Sequence, residues 1–142
     1  MTVKNFSIKE IHHNPLNKHF RNYEKENNIF VIEDCAQAPL ATYKNKKIGT
    51  IGDIGIFSLN YHKHIHTGEG GMCTTNNKIL ANKLQLIRNH AESVIEDKGD
   101  IDLTNMLGFN FRLTEIQAAI GIEQLQKIDK EVVLRQKYAQ MY

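Results

Sequence analysis

Cysteine is scarce in this chain, and long apolar runs and a charge excess of one sign are missing. Two cysteines, Cys35 and Cys73, are too few for a disulfide scaffold, so a reducing cytoplasm is the expected compartment. No apolar run approaches the roughly 20 residues that cross a bilayer, and no membrane segment is expected. The N-terminus, MTVKNFSIKEIHHNP, lacks the apolar core of a signal peptide. A net charge of +2 points to no polyanionic partner, so nucleic acid is not expected. There is no internal repeat and no low-complexity tract. What remains is ordinary: 142 residues, 41% of them hydrophobic, enough to bury the core of one soluble domain.

One stretch, from Ile29 to Cys73, organises the rest. It opens with the apolar run IFVI, which ends in Glu33 and Asp34. A second apolar run, Ile54 to Leu59, delivers Ser58. Lys63 follows five residues later, and then the cluster Gly68-Glu69-Gly70-Gly71. An acid, a hydroxyl and an amine thus each sit at the end of, or just after, a predicted buried strand. That set suits a cofactor with a protonatable ring nitrogen, a carbonyl carbon and a phosphate.

The remaining chain reads as an α/β domain. Residues 1–13 show no clear period and carry no assignment. Asn14-Pro15 predicts a helix start, with Leu16, Phe20, Tyr23 and Asn27 at helical spacing. Asn27-Asn28 ends it, and Ile29 to Ile32 reads as a strand apolar on both faces. A Lys-Asn-Lys turn between Tyr43 and Ile48 predicts a small hairpin. Met72 to Thr75 is a further candidate strand. Asn76 is the expected cap of a helix whose amphipathic face is formed by Ile79, Leu80, Lys83, Leu84, Ile87 and Ala91. Glu92 to Asp102 reads as an acidic surface loop. A last helix starts near Thr114, where Thr114-x-x-Gln117 fits a capping box. Its stripe runs through Ile116, Ile120, Leu125, Ile128 and Val132. The chain stops at Tyr142 within this helical pattern, which predicts that it is a piece of something longer.

Each candidate group also has a plain reading. Ligands of open α/β sheets bind at the carboxyl ends of strands, where Asp34 would stand partly desolvated and in need of a cationic partner. It could equally cap a helix or close a strand-end salt bridge. Lys63 lies among histidines and few acids, a setting that lowers an amine's pKa and favours imine formation. A solvated loop lysine is the alternative. Ser58 faces either the core or a phosphate. His62, His64 and His66 would share one face if they lay on a strand, which raises zinc, but the usual zinc spacings are absent and no metal is expected. His12 and His13 read as surface residues.

Taken together, VIEDCAQA, GDIGIFSLNYHKHIHTGEGG, LQLIRNH and GFNFRLTEIQAAIG, in that order, resemble the DegT/DnrJ/EryC1/StrS family. Its members are pyridoxal-phosphate enzymes acting on nucleotide-linked keto sugars. The resemblance runs from about Asn14 to Tyr142. It implies an α/β fold, part of the large domain of a fold-type-I transferase: three layers, α/β/α, around a mostly parallel sheet. It implies that Asp34 keeps the pyridine nitrogen protonated, that Gln37 bonds near the ring's phenolic oxygen and that Ser58 binds the phosphate. Lys63 would form the internal Schiff base and later carry the proton. Asn110, in GFNFRL, would reach the cofactor phosphate of a neighbouring subunit, which implies a homodimer.

The sequence also departs from the family pattern. Members usually carry proline and threonine before the lysine; here Tyr61 and His62 stand there. A dehydratase branch replaces the lysine with histidine, and histidines flank Lys63 on both sides. The phosphate-gripping Gly-Thr or Gly-Ser loop and the ring-stacking aromatic are not recognisable before Asn14, and no small domain follows the last helix. The chain therefore reads as residues 14–142 of a large domain, incomplete at both ends and not expected to work alone. The expected activity is amino transfer from glutamate to a keto group of a nucleotide-activated hexose, for a surface polysaccharide or another glycan. The alternatives are the dehydratase and a non-catalytic remnant or assembly partner.

Overall fold

The computed structural model describes residues 26–92 and 106–141. The helix expected from Asn14, up to residue 25, the paired histidines His12 and His13, and the acidic loop beyond Glu92 lie outside them; Glu26 is helical and Asn27-Asn28 form the expected turn after it. Among the described residues, five strands and three helices follow in order. They are β1 (Ile32–Asp34), β2 (Thr42–Tyr43), β3 (Lys46–Lys47), β4 (Ile54–Ser58), β5 (Gly71–Thr74), α1 (Lys78–Arg88), α2 (Glu115–Leu125) and α3 (Ile128–Ala139). The main sheet has the order β1-β4-β5. β1 and β4 are parallel, with Ile32, Glu33 and Asp34 opposite Ile54, Gly55 and Ile56. β4 and β5 are antiparallel, with Ser58 opposite Gly71. The sheet among the described residues is therefore mixed, because residues 59–70 form a loop that reverses the chain and no crossover helix joins β4 to β5.

The expected strand Ile29 to Ile32 sits later in the chain, as β1. Val31 donates its N–H to Asp53 Oδ2 at 2.7 Å, so its donor is spent on a side chain and the ladder opens at Ile32. Nor is the strand apolar on both faces. Ile32 is 43% exposed, whereas Glu33 is 7% exposed. The Glu33 carboxylate accepts three backbone N–H groups, from Gly49 (2.7 Å), Ile51 (2.7 Å) and Gly52 (2.6 Å). A buried anion is tolerable only with such a set of donors. The strand carries a carboxylate inward because the approach to β4 supplies amides to meet it.

Gly55, which pairs with Glu33, makes this arrangement possible. A Cβ there would fall 2.4 Å from Gly49 Cα. Gly49 itself has φ of +79°, a conformation glycine adopts without strain. The two glycines let the 49–52 loop lie against the sheet. The hairpin is as expected: Thr42 pairs with Lys47 and Tyr43 with Lys46, across Lys44 and Asn45, both at positive φ.

The cap of α1 is Asn77, one residue beyond the expected Asn76. Its Oδ1 accepts the N–H groups of Ile79 (2.9 Å) and Leu80 (3.3 Å). Thr75 Oγ1 takes the Asn77 N–H, which fixes the turn one residue later. The buried residue of α1 is Leu86, while Ile79 and Ile87 are exposed. The expected stripe is thus rotated, and Ala91 lies past the helix end at φ +57°. The capping box of α2 forms as read, Thr114 with Gln117. The single last helix is two, α2 and α3, broken at Gln126-Lys127. Of its predicted stripe only Ile128 is buried; Ile116, Ile120 and Leu125 are exposed. The buried apolar residues are Cys35, Ile48, Leu59, Leu86 and Ile128.

Candidate active site

Two strand ends build the site. β1 and β4 are parallel, so their carboxyl ends share one edge of the sheet. Asp34 is the last residue of β1 and Ser58 the last of β4. Asp34 lies opposite Ile56, two positions before Ser58. Side chains alternate along strands, so Asp34, Ile56 and Ser58 share one face, while Glu33, Gly55 and Phe57 occupy the other. Strand spacing and rise place the Asp34 and Ser58 Cα atoms about 8 Å apart. The two adjacent acids are thereby divided: Glu33 is buried and saturated, Asp34 exposed. Asp34 Oδ1 accepts the Ala36 N–H at 3.0 Å, and no cation pairs with it among the described residues. Gln37 follows in the turn closed by Ala38 N–H to Cys35 C=O (3.1 Å), with its side chain exposed at the same edge.

Lys63 sits in the loop that leaves β4. The base of the loop is closed by Leu59 N–H to Gly70 C=O and Thr67 N–H to Leu59 C=O, both 2.9 Å. Asn60 sets its first turn. Its N–H donates to Ser58 Oγ (3.3 Å), its carbonyl accepts the Lys63 N–H (2.9 Å) and its Oδ1 accepts the His62 N–H (3.1 Å). Residues 62–66 are turns and bends, not strand, so the three histidines do not share a strand face. Among the described residues no group of three or more metal-ligating side chains converges. His66 Nδ1 is buried with no hydrogen-bond partner among them.

Asn110 stands apart. It forms an isolated bridge with Asn89 at the end of α1, and its Oδ1 accepts the Arg112 N–H at 3.4 Å. Arg112 in turn donates to Asn89 Oδ1 at 2.8 Å, and Asn89 is buried. Among the described residues no hydrogen bond joins Asn110 to Asp34, Ser58 or Lys63. A cleft of about 850 Å³ between β4–β5 and α1 is lined by Ile56, Met72, Leu84, Arg88, Phe111 and Leu113, among others. Asp34, Ser58 and Lys63 do not line it, so it lies off the candidate chemistry.

Local charge follows burial. Burial, then Glu33, then Asp34, push the Cys35 thiol up to about 12, so it is neutral and inert near pH 7. His64 is held below the usual histidine value by burial, then by Arg135 and Lys63, and stays neutral at pH 7. Two groups escaped the sequence reading: Glu33 and the Asn60–Glu69 pair, whose side chains bond at 2.8 Å. Strand alternation was the available signal for Glu33, since adjacent residues of a strand face opposite ways. No local signal marks Asn60.

Residues 17–142 match the model of the DegT/DnrJ/EryC1/StrS aminotransferase family. The chain belongs to that family. It is 42% identical over 118 residues to the GDP-perosamine synthase of Caulobacter vibrioides, covering 83% of this chain and 31% of that protein. Among solved structures it resembles an aminotransferase from Psychrobacter cryohalolentis, with 38% identity and a TM-score of 0.67, over 78% of this chain and 30% of that one. It also resembles the E. coli GDP-4-keto-6-deoxy-D-mannose-3-dehydratase, solved with bound hydrated PLP, with 31% identity and a TM-score of 0.75. That match covers 87% of this chain and 35% of the dehydratase. The chain thus spans about a third of the length of the relatives it matches. Its α/β fold is that of part of a fold-type-I large domain.

Proposed function

We propose that this chain, as residues 14–142 of a large domain, carries cofactor-binding residues of a pyridoxal-phosphate-dependent sugar aminotransferase. The donor would be glutamate and the acceptor a keto group on a nucleotide-linked hexose, in glycan biosynthesis in the cytoplasm. One observation carries this reading: Asp34 and Ser58 end adjacent parallel strands on one face, and Lys63 follows in the next loop. The donor set suits the cofactor. Asp34 offers an anion with no cation among the described residues, and the Ser58 hydroxyl accepts one N–H and donates to none of them. When bound, pyridoxal phosphate supplies a reactive carbonyl carbon and a ring that withdraws electrons.

The residues would divide the work by charge. Asp34 would hold a proton on the ring nitrogen through its carboxylate. Ser58 would donate to a phosphate oxygen. Gln37, exposed beside Asp34, would bond near the phenolic oxygen. Lys63 Nζ would hold the cofactor and move a proton on and off the reacting carbon, which the neutral His64 beside it does not oppose electrostatically. Asn110, bridged to Asn89 just past α1, would serve the neighbouring subunit of a homodimer.

The dehydratase is the second reading, favoured by the likeness to the E. coli enzyme and by the histidines beside Lys63. The test separates the two. The complete protein is given pyridoxal phosphate, glutamate and a nucleotide-linked 4-keto hexose. Equal yields of 2-oxoglutarate and amino sugar are expected. A deoxygenated sugar with no net amine incorporation would establish the dehydratase, and no turnover with correctly folded protein would contradict both.

A further inference from the structure

Gln117 of α2 makes two kinds of contact. Its Oε1 accepts the Thr114 N–H (3.0 Å) and the Thr114 hydroxyl (2.9 Å), which completes the helix cap. With the oxygen so occupied, Nε2 points outward and donates to the Glu69 carbonyl at 2.8 Å, 48 residues away in sequence. Glu69 lies in the loop that carries Lys63. Its carbonyl also accepts the Thr67 hydroxyl at 2.8 Å, and its carboxylate accepts Asn60 Nδ2 at 2.8 Å. Asn60 in turn accepts the Lys63 N–H. The contacts therefore run without a break from Gln117 through Glu69 and Asn60 to Lys63. Gly121, one turn along α2, lies close enough to Thr67 that a Cβ there would meet its Cγ2 at 3.3 Å.

We infer that Gln117 is a positioning residue for Lys63, and that α2 acts through it as a strut against the lysine loop. The inference rests on the reading of Lys63 given above. It goes further by tying the segment that bears Asn110, which leads directly into α2, to the loop that bears Lys63. The loop has no regular structure between β4 and β5. Its shape depends on a few side-chain bonds, and Gln117 supplies the one from α2.

The capping box separates the two roles. Glutamate completes such a box as well as glutamine does, so Q117E keeps the cap while losing the donor to Glu69. Q117M is neutral and also lacks the donor. In the full chain, both variants should speed amide exchange at Lys63 and Thr67 roughly three- to tenfold, the worth of one hydrogen bond. Trace acetylation with acetic anhydride at a single pH should then label Lys63, half-buried in the wild type, faster in both variants, toward the rate of Lys78 and Lys83, exposed on α1. In Q117E the α2 amides should keep their protection. An unchanged Lys63 acetylation rate in both variants would overturn the inference, even with faster loop exchange, since Gln117 would then be a structural tie alone. A change in Q117E only would assign the effect to added charge, and equal loosening of α2 in Q117E would assign it to the cap; either result also overturns it. Borohydride labelling of the wild type with pyridoxal phosphate reports separately on whether Lys63 carries the cofactor, so the two failures are distinguishable.

Discussion

Glu33 and Asp34 are neighbours in sequence and opposites in environment. The Glu33 carboxylate is buried under three amides, and Asp34 projects from the strand end with one local bond. Their substitutions should therefore diverge. Glu33→Gln turns one acceptor oxygen into an amide facing an N–H donor, and should cost about 3 kcal/mol of folding stability. Asp34→Asn keeps the acceptor for Ala36 and should change stability by less than about 0.5 kcal/mol. Turnover should show the reverse order, with Asp34→Asn severely impaired because the ring nitrogen loses its anion. Denaturant unfolding and steady-state kinetics of both variants check this. A stable Glu33→Gln, or near-normal turnover of Asp34→Asn, would contradict the division. Asp34 was legible as a strand-end carboxylate, because an apolar run precedes it. Glu33 was not, because its role depends on amides 16 to 19 residues away.

The elements that matched expectation are those defined by local chemistry. The hairpin turn at Lys44-Asn45 and the Thr114–Gln117 box use side chains and dihedrals within a few residues. The elements that shifted are those set at a distance. β1 starts late because Asp53 takes the Val31 amide. On α1 it is Leu86 that is buried, since helical spacing fixes which residues align and not which of them is covered. The cap moved from Asn76 to Asn77 through the Thr75 hydroxyl, and this has a direct test. Asn77→Ala should lower stability by about 1 kcal/mol, the worth of an N-cap, whereas Asn76→Ala should leave it almost unchanged. Equal losses from both, read in thermal or denaturant melts, would show that the turn shifts between the two.

At the scale of the whole molecule, the arrangement depends on one parallel strand pair and the loop that follows. That much was readable, since residue types and their order fix an acid, a hydroxyl and an amine relative to two strands. The apolar surface was not. Ile116 is 76% exposed and Leu107 73%, and α2 buries none of its residues. Periodicity marks a side chain as apolar without saying what covers it, and the described residues do not cover these. The mixed sheet was likewise hidden, because the direction of β5 depends on how residues 59–70 turn back along β4, which no local pattern gives. The central claim remains chemical: Lys63 is proposed as the amine that holds pyridoxal phosphate. The complete protein, incubated with the cofactor, reduced with borohydride and mapped by peptide mass spectrometry, tests it most directly. The account predicts a pyridoxyl adduct on Lys63, lost in Lys63→Ala. An adduct on another lysine, or none while the cofactor is visibly bound, would contradict it.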